Sequence, residues 1–200
     1  MEKYTRLYLI RHGQVVGFDK LTANGHTDVD ITETGVIQMN SLAERLRLVE
    51  LNAVYATGLI RTEKGARIIG QFHNTPIKSK PEMKEIYFGN WEGMSLEEIE
   101  KVYPGEMDKR HSDIAGYRPP GNGENMNDLF KRVLACLKEI ISEKIGKNIL
   151  IVAHGGVNRT ILCDALGMDI SNLFNIQQDY GCLNILDYYP DNILVRLVNG

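Results

Sequence analysis

Cysteine is scarce in this 200-residue chain: Cys136, Cys163 and Cys182 lie far apart, and no two form a CxxC pair. A disulfide framework and a zinc-ribbon spacing are both excluded by that pattern. Long apolar runs are missing too, since nothing approaches the ~18 residues that a membrane span needs. The first apolar run, Leu7 to Ile10, stops at Arg11 after four residues, too short for a signal-peptide core, so a cytoplasmic chain is expected. Neither charge sign dominates, with 23 Lys and Arg against 26 Asp and Glu, which leaves no overall basic field for nucleic acid. There is no internal repeat and no low-complexity tract. What remains is ordinary globular composition, 43% hydrophobic, enough to bury one core in a single domain over residues 1–200.

The hydrophobic pattern alternates between two periods. Leu7–Ile10, Ala53–Ala56 and Ile149–Ala153 are short continuous apolar runs of the kind buried on both faces of a sheet. Pro76 and Pro81 bracket a third short strand, Ile77 to Lys80. Helical spacing appears after Thr32, from about Leu59 to Phe72, in a short segment after the Ser95/Glu98 capping box, from Leu129 to Ile141, and after Gly155-Gly156. Cys182–Tyr188 and Ile193–Val198 read as a closing antiparallel pair turned by Pro190-Asp191. Between Lys101 and Asn125 the pattern dissolves into charge, proline and glycine, which predicts an irregular excursion. Strands alternating with helices predict an α/β sheet between helix layers, mixed and mostly parallel.

Two of the buried strands end alike. Leu7–Ile10 runs into Arg11-His12-Gly13, and Ile149–Ala153 runs into His154-Gly155-Gly156. Ligands of open α/β sheets bind beyond the carboxyl ends of the strands, so both histidines are expected on one rim. Arg61 follows the Ala53–Ala56 strand and Glu85 follows Ile77–Lys80, which adds a cation and a carboxylate to that rim. Taken singly, each has a blander reading: a hydrogen-bonded structural histidine, a solvated helix arginine, a surface charge pair. Taken together they resemble a phosphate site, because guanidinium forks match phosphoryl oxygens, whereas fixed cations oppose a metal held by His12, His154 and Glu85.

These residues also carry a family resemblance. Arg11-His12-Gly13 after an apolar strand, then Ala56-Thr57-Gly58-Leu59-Ile60-Arg61-Thr62, is similar to the histidine phosphatase (phosphoglycerate-mutase-like) superfamily. Met83 to Gly93, Pro120 to Asn125 and Ala153-His154-Gly155-Gly156 continue the match in the family's order. Within it, chain length and motif spacing resemble the α-ribazole phosphatase and broad-specificity phosphatase branch. The resemblance implies a three-layer α/β/α sandwich and a metal-independent, cofactor-free phosphatase that acts on a small-molecule phosphomonoester such as α-ribazole 5'-phosphate. It implies His12 as the nucleophile of a covalent phosphohistidine, Glu85 as proton donor, and Arg11, Arg61 and His154 as the phosphate pocket. Gly155 and Gln14 are further candidates for substrate contact. So are Arg110 and Arg118, which belong to a variable, substrate-covering insertion at about 94–124. Asn125 stands where the family has Ser, and can cap the following helix equally well. A phosphoglycerate mutase and a non-catalytic module of the same fold are the alternatives. No membrane or nucleic-acid partner is expected, and the last strands expose edges where a homodimer would pair.

Overall fold

The computed structural model describes residues 3–200. Six strands form one sheet: β1 (Thr5–Arg11), β2 (Ala53–Ala56), β3 (Ile77–Ser79), β4 (Asn148–Ala153), β5 (Leu183–Tyr188) and β6 (Ile193–Leu197). Their spatial order is β3-β2-β4-β1-β5-β6. β1 to β4 run parallel, while β5 is antiparallel to β1 and β6 antiparallel to β5, giving the mixed, mostly parallel sheet that the pattern predicts.

Alternation along the central strands divides the core in two. Leu7 and Leu9 of β1 and Ile149 and Ile151 of β4 face α5 (Met126–Glu143) and α6 (Gly155–Leu166). Tyr8, Ile10, Leu150 and Val152 face α1 (Glu33–Leu46) and α2 (Ile60–Gly70) on the other side. This is the three-layer α/β/α arrangement.

Side chains that bond the first free amides set where the helices begin. Thr32 accepts from Gly35 N at the start of α1, and Asn125 closes a full capping box with Asp128 at the start of α5. At Gly13 the reason for glycine is space: a Cβ there would lie 2.4 Å from Gly35 O, so only glycine lets the exit of β1 pass against the first turn of α1.

The excursion after Gly93 is more ordered than the sequence suggests. It holds α3 (Leu96–Val102) and a second short helix, α4 (Glu106–Ser112). No residue of α4 is buried, so it has no apolar periodicity to read. Its anchors are polar and aromatic: Tyr117 Oη donates to Glu106 Oε2 at 2.6 Å, and Tyr117 stacks on Trp91 with ring centroids 5.6 Å apart. Ala23, Trp91 and Ile99 form a small separate core under this segment.

Candidate active site

Sheet register brings the two histidines together. β1 and β4 pair Arg11 with Ala153, so the next residue of each, His12 and His154, leaves the sheet side by side. Their rings meet edge to face with centroids 5.2 Å apart. Both are buried, and His154 is fully so.

Hydrogen bonds decide the tautomer of each ring. His12 Nδ1 lies 2.8 Å from Gly13 O, and a carbonyl can only accept, so Nδ1 carries the proton and Nε2 keeps a lone pair. Burial, reinforced by the Arg61 and Arg11 guanidiniums, holds His12 well below the ordinary histidine range. The ring is therefore neutral at neutral pH. His154 is arranged in the reverse sense. Arg61 Nε donates to its Nδ1 at 3.3 Å, which leaves Nε2–H to donate to Thr57 Oγ1 at 2.9 Å. Thr57 Oγ1 in turn bonds Thr62 Oγ1, whose hydroxyl donates to Leu59 O. Every group in this buried chain has one defined role. His154 is likewise held low, by burial first and then by Arg61.

Arg61 is fully buried at the start of α2 and does more than face a ligand. Nη1 donates to Thr27 O, and Nη2 donates to Asn24 O and Gly25 O, so the guanidinium clamps the loop opposite the histidines. One N–H, on Nη1, remains free of protein partners. Arg11 sits across the site, its Cζ 3.8 Å above the Tyr180 ring and Nη1 donating to Gln178 O. Its Nε is buried without a hydrogen-bond partner.

Glu85 closes the group. Its Oε2 accepts from Gly156 N at 2.9 Å and Oε1 from Ile86 N at 3.0 Å. The carboxylate thus caps the first turn of α6, where free amides and the helix dipole favour negative charge.

Arg11, His12, Arg61 and Glu85 line one cavity of about 220 Å³. Its other wall is apolar and aromatic, including Val15, Leu21, Phe88, Trp91, Ile99 and Met107. Trp91 Nε1 is buried there with no partner. Arg110 of α4 also lines the cavity and has no hydrogen bond or ion pair among the described residues. A second hollow of about 300 Å³ adjoins it, sharing Arg11, Leu21 and Tyr180.

The remaining sequence candidates lie elsewhere. Arg118 pairs with Asp128 and donates to Gly123 O, which pins it to the start of α5 and outside the cavity lining. Gln14 is turned toward α1, accepting from Thr32 Oγ1 at 2.9 Å, and also stays out of the lining. His154 and Gly155 lie behind the lining residues: a Cβ on Gly155 would come within 3.5 Å of Arg11 Nε. Tyr87 packs against His26 rather than the cavity.

Sequence reasoning missed the supports. Glu92 accepts from His26 N, Phe88 N, Thr27 N and Thr27 Oγ1, tying the loop that Arg61 holds to the segment after Glu85. Glu124 accepts from Tyr87 N and from Arg132. Glu92 and Glu124 sit inside quoted motif blocks, but a carboxylate that binds main-chain amides has no local signature.

A cation-lined hollow beside an accepting imidazole and a carboxylate, at the carboxyl ends of parallel strands, is a phosphoryl-transfer site in an α/β/α fold. The chain belongs to the histidine phosphatase superfamily (branch 1), whose sequence profile matches residues 7–200. It is 27% identical over 200 residues to the adenosylcobalamin/alpha-ribazole phosphatase of Escherichia coli K12, covering 98% of this chain and 96% of that protein. It is 30% identical over 159 residues to the metal-independent phosphoserine phosphatase of Arabidopsis thaliana, covering 78% and 67%. The crystal structure of the alpha-ribazole phosphatase from Shigella flexneri superposes with a TM-score of 0.89 at 27% identity, covering 98% and 96% of the two chains. By this kinship the chain is a phosphoric monoester hydrolase.

Proposed function

We propose that the chain hydrolyses a small-molecule phosphomonoester through a covalent phosphohistidine at His12. The observation that carries this reading is the Nδ1–Gly13 O hydrogen bond, which leaves Nε2 of a neutral, cavity-lining imidazole as the free lone pair. In the first step Nε2 attacks phosphorus, the P–O bond to the leaving alkoxide breaks, and the Glu85 carboxyl gives that oxygen its proton. In the second, Glu85 takes a proton from water as the water oxygen attacks phosphorus. The N–P bond breaks and inorganic phosphate leaves. Arg11 Nε and the free Arg61 N–H supply donors for the phosphoryl oxygens, each worth about 3 kcal/mol by analogy with oxyanion holes. His154 acts on the substrate through Arg61, whose guanidinium it orients.

No group of three His, Cys, Asp or Glu side chains close enough to hold a metal ion occurs among the described residues. The arginines fill the electrostatic role that a cation would have. The apolar wall of the cavity suits a ring-bearing leaving group, and α-ribazole 5'-phosphate, the ester in the names of relatives, heads the list of substrates.

The test is p-nitrophenyl phosphate hydrolysis in excess EDTA, with acid-quenched trapping of labelled enzyme. Chelator-resistant turnover with label on His12, lost in His12→Ala, is the expected result. Turnover abolished by EDTA, or label-free turnover, would overturn the reading.

A further inference from the structure

We propose that Arg132 is a positioning residue for Glu85, holding the main chain that aims the proton donor without touching the substrate. The inference rests on the reading of Glu85 given above. Arg132 lies on α5, and its side chain is outside the cavity lining. All five of its N–H donors are used. Nε and Nη2 form a two-pronged pair with Glu124, both at 2.7 Å. Nη1 donates to Glu82 O at 2.8 Å and Lys84 O at 2.7 Å, and the second Nη2 hydrogen donates to Glu85 O at 2.8 Å.

Three carbonyls within four residues are thus gathered on one guanidinium. The segment needs such a partner because it lies beyond the sheet: β3 ends at Ser79, a single 3-10 turn spans Pro81–Met83, and no strand pairs with the residues that follow. Backbone carbonyls left without donors would draw the loop toward water. Glu124 orients the guanidinium and, through Tyr87 N, holds the chain on the far side of Glu85 as well.

Glu85 O receives a second donor. His26 Nε2 lies 3.0 Å from it, and since the carbonyl accepts, Nε2 carries the proton. His26 stands on the loop clamped by Arg61 Nη1 and Nη2. The proton donor is therefore tied by its main chain to α5 on one side and to the phosphate-binding arginine on the other. A lysine at 132 has three donors on one atom and cannot reproduce the planar fork, so Arg132→Lys retains charge while losing the geometry.

A misplaced proton donor has its own kinetic mark. p-Nitrophenolate leaves without protonation, whereas an alkoxide does not. The specificity constant kcat/KM reports only steps through release of the leaving group, so later hydrolysis of the phosphoenzyme does not enter. We expect Arg132→Lys to lower kcat/KM for phenethyl phosphate by roughly 10- to 100-fold and that for p-nitrophenyl phosphate by less than about 3-fold. Glu85→Gln is the reference and should show the same selectivity at larger amplitude. His26→Ala, which removes one of two donors to Glu85 O, should show it at smaller amplitude and keeps the test decisive if Arg132→Lys does not fold. Equal losses on both esters in the folded variant, or no loss on either, would overturn the role of Arg132. If Glu85→Gln itself failed to discriminate between the esters, the reading of Glu85 would fall, and this inference with it.

Discussion

Gly156 N donates to Glu85 Oε2 across 2.9 Å, and the missing side chain of that glycine is what lets the carboxylate in. A Cβ at position 156 would stand 2.3 Å from Glu85 Oε1, far inside contact distance. Gly156→Ala should therefore expel the carboxylate from the start of α6 without harm to the helix, where alanine is the better helix former. We expect turnover of alkyl phosphates to fall about 10²-fold while thermal stability holds or rises slightly. Rates on an alkyl ester and a melting curve check both halves.

The carboxyl-end rim was legible because a strand run into Arg-His-Gly or His-Gly-Gly states in one dimension where a side chain leaves the sheet. Register, which pairs Arg11 with Ala153 and so sets the two rings edge to face, is a three-dimensional consequence of β1 and β4 being neighbours. Strand order cannot be read from the strands themselves. α4 escaped notice because none of its residues is buried. Arg110 and Arg118 looked alike as insertion cations, yet Asp128, the third residue of α5, captures one and nothing captures the other. Arg132 was hidden among ordinary helix residues, since a bond to a main-chain carbonyl leaves no trace in the identity of the partner.

Acid should affect rate and stability in the same direction. His12 and His154 are both held below the ordinary value near ~6.5, by burial and then by arginine. The neutral His12 that attacks phosphorus thus persists below the pH at which a free histidine would be half protonated. Activity of the free enzyme, as kcat/KM for p-nitrophenyl phosphate, should stay level through pH 6.5 and decline only further into acid. Stability behaves differently. Between each lowered value and ~6.5 the unfolded chain binds more protons than the folded one, so unfolding free energy falls as pH falls through that window. His154→Gln should flatten this slope in urea titrations at pH 5 to 7. A slope unchanged by the variant would mean that His154 titrates normally in the fold.

Asp187 lies on β5 with a fully buried side chain between two arginines, Arg6 at 2.6 Å and Arg196 at 2.9 Å. Burial opposes its ionisation, but the hydrogen bonds from Arg6 and Arg196 outweigh it and hold the carboxyl below the usual range. The pair joins the central strand to the edge of the sheet, far from the catalytic rim. Both arginines are partly exposed and would rehydrate if the carboxylate were removed, which softens the cost of losing a buried partner. Asp187→Ala should destabilise by about 2–3 kcal/mol, a drop of roughly 5–10 °C in Tm, with kcat unchanged at room temperature. Calorimetry beside an activity assay distinguishes this from a catalytic effect.

Arg110 presents the opposite economy. Burial lowers its pKa, and no carboxylate among the described residues pairs with it, yet it faces the catalytic cavity from α4. Its nearest structural neighbour is the Phe174 ring, 5.6 Å from Cζ. A desolvated cation with no partner weakens a fold, so its presence is best accounted for by an acceptor that arrives with the substrate. Arg110→Met keeps the apolar stem and removes the charge. It should raise Tm by about 1–3 °C and leave kcat/KM for p-nitrophenyl phosphate within about 3-fold. For esters that carry an anionic or acceptor group on the leaving side, kcat/KM should fall by about 10-fold or more, the worth of one charge-assisted hydrogen bond. Parallel losses on every ester, together with a lower Tm, would make Arg110 a support of the insertion instead. A gain in stability coupled to a selective loss of substrate is the outcome that only a binding role produces.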